Sequence, residues 1–257
     1  MKLLTDTAWM FMRYLRGLLR SPFIVLMTIV QPIFWMILFG QVFSSMVSIP
    51  GFTASSYMDY LGPGIVMMST MMSGAYAGMG VLSDYKDGVL DRLLISPINR
   101  LALLLGSLLQ DALTLTFQAA LMAGVAFLLG ASFSGGLLGI VQLILIAVLL
   151  GLAMAALSIS LGLFVRKESS LTAAVSFATM PLLFLSEMFM PLQLVPRWVE
   201  AVARFNPLNW AVEAGREVLA AQPDWGLVLQ HGCFLLVLFL AACLLVSRAF
   251  RQYQRSM

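Results

Sequence analysis

The chain has 257 residues, 61% of them apolar and 11% charged, with a mean hydropathy of +0.95 and a formal net charge of +3. Those proportions exclude a soluble globular domain and describe an all-α membrane protein built as a single domain, 1–257. The small basic excess sits at the ends of apolar runs, where lipid and topology account for it, and gives no reason to expect a nucleic-acid partner.

The first predicted element is an amphipathic helix over 1–20. At about 100° per residue, Lys2, Asp6, Arg13, Arg16 and Arg20 project within an arc of about 80°, opposite Leu4, Ala8, Phe11, Leu15 and Leu18. A basic helix adjoining an apolar run reads as an interfacial elbow lying on the membrane surface. It lacks the short apolar core of a cleavable leader, so the first span is expected to be retained.

At about 20 apolar residues per crossing, six transmembrane helices are predicted. They lie near Pro22–Met46, Tyr60–Ser83, Leu101–Leu129, Leu137–Val165, Leu171–Met190 and Trp225–Ser247. On that scheme twelve Lys and Arg residues fall on the side of the two termini and three, Arg197, Arg204 and Arg216, on the other. The positive-inside rule then places both termini in the cytoplasm and the protein in the inner (plasma) membrane. Cys233 and Cys243 are ten positions apart on one predicted helix, about 15 Å, and cannot bridge each other.

Two connections depart from the apolar background. The cytoplasmic one, 84–100, carries Leu90, Leu93 and Leu94 on one face of a short predicted helix, with Asp87, Asp91 and Arg92 around the remainder and Pro97 ending it. Spacing alone leaves open whether those leucines rest on the membrane surface or seat in the groove of a partner. The external one, 187–224, is broken by Pro191, Pro196 and Pro207 and is rich in Trp, Arg and Glu. It reads either as short re-entrant helices folding back toward the membrane or as a surface cap.

Polar residues within the spans are the candidates for lining a pathway. Gln31 precedes Pro32 and should mark a kink in span one. Asp111 is the sharpest, since a charge at mid-membrane costs about 2.5–3.5 kcal/mol and turns toward protein or water. With Gln110, Thr114 and Gln118 nearby, a structural hydrogen-bond network is the preferred reading, a pathway or a shallow cytoplasmic position the others. The methionines of span two, from Met67 to Met79, read as packing or lipid-facing before they read as a promiscuous substrate surface. Gly74 and Gly78 permit a close helix approach, either within the subunit or across a dimer.

In order and spacing, these features resemble the permease subunits of type-2 ABC exporters, which include daunorubicin-resistance, nodulation-factor and polysaccharide export permeases. The resemblance rests on Asp87-Gly-Val-Leu-Asp-Arg-Leu-Leu-Ile-Ser-Pro-Ile-Asn-Arg100 and on Ser186-Glu-Met-Phe-Met-Pro191. Leu194-Val-Pro-Arg-Trp198 and Phe205-Asn206-Pro207-Leu-Asn209 continue it. Glu187 stands where the family usually has a glycine, which puts the tight packing of that turn in question and suggests a carboxylate near the outer exit. The resemblance implies that the segment from Asp87 to Pro97 is a coupling helix docked on a separate ATPase subunit, which would hold the ATP and Mg2+. It further implies a pathway between two permease chains, identical or sister, that moves an amphipathic substrate such as a drug, a lipid or a lipid-linked compound.

The chain has no Gly-x-x-x-x-Gly-Lys-Ser/Thr loop, so ATP hydrolysis is not assigned to it, and no hydrolytic triad or metal-ligand cluster is legible. It reads as a non-catalytic subunit with no cofactor or metal of its own. An ion-coupled secondary transporter would be expected to show several embedded carboxylates or paired broken helices, where only Asp111 qualifies. A polysaccharide or lipid-linked glycan permease shares the same motifs and stays open as the alternative cargo class.

Overall fold

The structure, a computed structural model, describes residues 2–19, 22–48, 56–88, 100–192 and 195–255. The core of the predicted coupling segment, with Leu90, Asp91, Arg92, Leu93, Leu94 and Pro97, lies outside the described residues. Among those described there are ten α-helices and no strand. In chain order they are α1 (Lys2–Leu19), α2 (Pro22–Val42), α3 (Tyr57–Tyr76), α4 (Gly78–Lys86) and α5 (Arg100–Leu128). There follow α6 (Gly136–Val165), α7 (Glu168–Phe184), α8 (Arg197–Ala203), α9 (Pro207–Leu219) and α10 (Trp225–Arg255).

Four helical runs are long and apolar enough to cross a bilayer: Tyr57–Asp84, which joins α3 and α4, Leu105–Leu128, Gly136–Val165 and Trp225–Ala249. The other two predicted spans are the short ones. In α2 the apolar stretch is Thr28–Val42. Helix α7 has 17 residues, a length of about 25 Å, and ends at Phe184 where the sequence suggested Met190. The reason lies at its end. Pro181 and the non-helical Leu185 stop the helix, and the Asn206 side chain takes the carbonyls of Leu182 and Leu185 at 2.7 Å each.

Helix α6 is the hub. It packs against α3, α4, α5, α7, α9 and α10, and its buried side is made of Gly, Ala and Ser interspersed with Leu and Ile. Small residues matter in lipid, where apolar surface gains nothing by leaving the solvent and close contact must supply the attraction. A Cβ on Gly74 would lie 2.1 Å from the Gly151 carbonyl oxygen, and one on Gly78 would lie 2.4 Å from that of Ser158. The Gly74–Gly78 pair therefore makes its close approach within the subunit, against α6. Met67 and Met71 are fully buried, and Gly215 of α9 makes room for the Met67 methyl, so these methionines pack the core.

Helix α1 lies against α5, where Gly106 accommodates Met10. Its buried residues, Thr7 and Met10, fall on the flank between the charged and apolar arcs, while Trp9 is 68% exposed. Helix α9, from the external connection, is mostly buried among α3, α6 and α10. Its inner face carries Leu208, Ala211, Val212, Gly215 and Val218 at helical spacing, with Pro207 at its first turn and Asn206 capping it through Leu208 N.

The seam between α3 and α6 generates a test. Gly74→Leu is expected to destabilise by about 2–3 kcal/mol through overpacking, read as a lowered thermal midpoint in detergent. Gly124→Ala, where a Cβ meets nothing within 4 Å, is expected to leave the midpoint unchanged or slightly raised.

Candidate functional site

The polar residues gather at three depths. At the end of the bundle that meets α1, Asp84 of α4 forms an ion pair with Arg13 and accepts a 3.3 Å hydrogen bond from the Tyr14 hydroxyl, both from α1. Burial, and after it the Asp84 carboxylate, push the Tyr14 hydroxyl well above its ordinary pKa, and Asp111 adds to the same field. Arg13, a third exposed, thus pairs with a carboxylate of the bundle. Two residues on, Lys86 pairs with Glu168 at the start of α7, 3.0 Å. Asp87 follows, exposed, its backbone N–H bonded to the Ser83 carbonyl. Gly88 has φ +64°, a left-handed turn that glycine adopts without strain and that ends α4. Arg100, at the far end of the connection, opens α5.

Mid-span, Gln118 is buried between α5 and α3, accepting from the Ser73 hydroxyl at 2.7 Å and donating to the Ser69 carbonyl at 3.3 Å. Gln110 and Thr114 bond each other at 2.8 Å. The single network expected of Gln110, Asp111, Thr114 and Gln118 is therefore divided: Gln118 serves the α3 seam, Gln110 and Thr114 bond each other, and Asp111 lies within electrostatic reach of Tyr14. Asp111 and Gln118 share nearly the same face of α5 but stand seven residues, about 10 Å, apart along it, so each meets a different neighbour. Gln31 is exposed on α2, and Pro32 beside it is buried.

The cluster at the opposite end, by the turn after α7, is the densest. Arg216 of α9 donates through Nη2 to the Glu187 carbonyl at 2.7 Å and to the Met188 carbonyl at 3.5 Å, and through Nε to the Tyr60 carbonyl at 3.3 Å. Its Nη1 lies 3.3 Å from the Glu187 carboxylate, and its guanidinium carbon lies 3.5 Å from the centre of the Tyr60 ring. Tyr60 and Tyr57 donate to the carbonyls of Glu187 and Phe189 at 2.8 and 3.1 Å. Asn209 accepts from Glu187 N at 2.8 Å and passes a bond on to Glu213 at 2.7 Å, whose second oxygen lies 3.4 Å from His231. Ser186 is buried and turns its hydroxyl back to the Leu183 carbonyl.

Glu187 is thus held on both sides. Its carboxylate faces Arg216 and receives the Leu192 N–H at 3.2 Å. At the turn after α7 the Glu187 side chain leaves the turn toward Arg216. Pro191 closes this turn and Pro196 precedes α8. Phe39 of α2 abuts Phe189 with centroids 4.7 Å apart, continuing a row from Trp35 through Phe43 to Tyr57. Sequence reading counted Arg216 only as an external charge; its signal was an Arg sharing the polar margin of a 13-residue amphipathic helix with Asn209 and Glu213.

The sequence matches the ABC-2 type transporter family over residues 5–220. The chain belongs to that family. Among similar proteins, a daunorubicin resistance ABC transporter permease protein of Streptomyces coeruleorubidus is 29% identical over 219 residues, 84% of this chain and 75% of that protein. A protein of Mycobacterium tuberculosis named for doxorubicin resistance ABC transporter permease activity is 24% identical, over 77% of this chain and 70% of that one. An inner membrane transport permease of Escherichia coli is 25% identical over 90% of this chain and 89% of that one. The chain is accordingly a membrane-spanning permease subunit of the ABC transporter class. No group of three or more His, Cys, Asp or Glu residues able to hold a metal occurs among the described residues.

Arg216→Lys is expected to loosen residues 185–192, since an ammonium lacks the fork that reaches several carbonyls at once. Hydrogen exchange at Glu187 and Leu192 should rise at least about tenfold, an opening about 1.4 kcal/mol easier. Burial, with the Glu187 charge second, raises the Glu213 carboxyl above its ordinary pKa against the opposing pull of Asn209 and Arg216. A carboxyl with a raised folded-state pKa stabilises below its unfolded value and loses that contribution as pH rises through the folded one. Glu213→Gln is therefore expected to raise the thermal midpoint at about pH 8 and to give a smaller gain at about pH 5.

Proposed function

We propose that this permease pairs with a second copy or a sister permease and with separate ABC ATPase subunits to export an amphipathic compound from the cytoplasm or inner leaflet. ATP and Mg2+ belong to those partners. Six spans serve the pathway, with α2 and α7 as spans one and five beside the four longer crossings. Both termini face the cytoplasm of the inner (plasma) membrane, α1 is the interfacial elbow, and α8 and α9 form an external re-entrant region.

The observation that carries this reading is the family match across 5–220 together with the anchoring of α4. This helix leads directly into the 84–100 connection, and its last turn is tied to α1 and α7 through Asp84 and Lys86. A segment that received movement from a motor would have to hand it to the spans, and these ties provide the route. Leu90, Leu93 and Leu94 would seat in a groove of the ATPase, while Asp87, Asp91, Arg92 and Arg100 fix orientation at its rim. Gly88 permits the sharp exit from span two and Pro97 ends the lever. The lining candidates are Gln31, Asp111, Gln118, Ser186 and Glu187. Gln118, Ser186 and Glu187 are bonded within the fold. Gln31, exposed on α2, is therefore the first to examine for contact with cargo.

Relatives named for resistance to daunorubicin and doxorubicin support a planar, amphipathic drug as the cargo class. Leu93→Asp is expected to abolish stimulation of the partner's ATPase by the permease while leaving membrane insertion intact. Normal complex formation and daunorubicin transport by that variant would refute the docking role.

A further inference from the structure

The backbone of span two is interrupted between α3 and α4, in the middle of the bundle. The interruption has a defined hydrogen-bond pattern. Ala77 N bonds Gly74 O at 3.0 Å and Gly80 N bonds Ala77 O at 3.1 Å, both tight three-residue links in place of four-residue ones. Between them, Gly78 N donates to the Ser158 hydroxyl of α6 at 3.1 Å, and that hydroxyl donates in turn to the Ala75 carbonyl at 2.5 Å. One side chain thus takes up both backbone groups that the pinched turn releases. Ser158 is 4% exposed, and Gly78 is pressed so close to it that no other residue fits. Ser158 belongs to none of the clusters already described.

We propose that Ser158 is a positioning residue for transport: it holds the turn at Ala77 and Gly78 as a pivot about which α4 moves as a separate lever. The inference rests on the reading of 84–100 as the docking segment. Below the pivot, α4 is only nine residues long. Its inner end is fastened to α1 by Arg13 and Tyr14, to α7 by Glu168, and to the connection through Asp87. Above the pivot, α3 is buried along nearly its whole length and cannot follow. A push at residue 87 is therefore relieved where the four-residue ladder is already broken. The hydroxyl can stay bonded as the turn opens, because it acts as donor and acceptor at once. Without it, Gly78 N–H and Ala75 C=O lose their partner in a medium with no water, and the turn relaxes to a regular helix that joins α3 and α4 into one rod.

The test uses the full permease–ATPase complex in proteoliposomes, with Cys233 and Cys243 replaced by serine and spin labels at Ser83 of α4 and Leu145 of α6, both exposed. Trapping with Mg2+, ADP and orthovanadate should shift the label distance by about 2 Å or more. Ser158→Ala should abolish most of that shift and lower daunorubicin moved per ATP hydrolysed by about fivefold or more; in the unlabelled complex Ser158→Cys should give an intermediate ratio because a thiol bonds weakly. Loss of a purely structural bond would lower the yield of complex but leave that ratio and the shift at wild-type values, and that outcome overturns the proposal. So does a transport-competent wild-type complex whose label distance does not change on trapping, a result that needs no variant to fold. A chain that never binds an ATPase refutes the exporter reading itself and is told apart by the absence of any complex.

Discussion

Lipid offers no hydrogen bonds, so every interruption of backbone inside the bundle must be answered by a side chain or a neighbouring backbone. The seam of α3 and α4 against α6 is where this constraint is met most closely. Glycines at 74, 78, 151 and 162 bring the two backbones into contact, and the contact is what allows one serine hydroxyl to reach across and satisfy a broken turn. Without the glycines Ser158 would be too far from Gly78. Without Ser158 the closeness would leave two buried backbone groups orphaned. The rest of the bundle is arranged around this pair: α5 closes on it through Gln118 and Leu115, and α9 fits beneath Met67.

The outer end solves the same problem with charge. The turn after α7 has no regular structure, yet its carbonyls at Leu182, Leu185, Glu187, Met188 and Phe189 are each taken by a side chain. Asn206, Arg216 and two tyrosines do this, and all come from elements flanking the turn. Glu187 then neutralises the arginine that binds its own carbonyl. A buried pair of this kind gains little net energy from attraction alone. Its weight lies in the number of backbone groups that the guanidinium fixes in one geometry.

How far the sequence disclosed this depends on what carried the signal. Helix type and the four long spans were legible because uncharged runs of that length have one stable form in lipid. The glycines at 74 and 78 were legible as a close approach, and the structure shows which partner they meet. The separation of Asp111 from Gln118 follows from their distance of about 10 Å along α5, not from helical phase, and was readable in principle. Arg216 and Ser158 were not, since each acts on backbone atoms of a distant helix, 156 residues away for Arg216 and Tyr60 and 80 for Ser158 and Gly78. No local pattern encodes such a pairing. The partner of Arg13 was hidden for a related reason: periodicity finds a charged face but not the carboxylate at the end of another helix that pairs with one member of it.

The two ends of the bundle differ in how firmly they are held, and the difference bears on which one moves. Around Arg216, short bonds to several carbonyls and a stacked ring must be broken together for the outer turn to open, because they share one side chain. At the inner end, the Lys86–Glu168 pair is about half exposed on both sides, a setting in which an ion pair contributes at most about 1 kcal/mol. Arg13 is a third exposed. Such contacts hold a direction without resisting a change of it. On the proposed reading, α4 is held at one end by partly exposed ion pairs and at the other by one hydroxyl, whereas the turn after α7 needs a concerted release. Movement entering at residue 87 would, on that reading, reach the α4 turn before the turn held by Arg216.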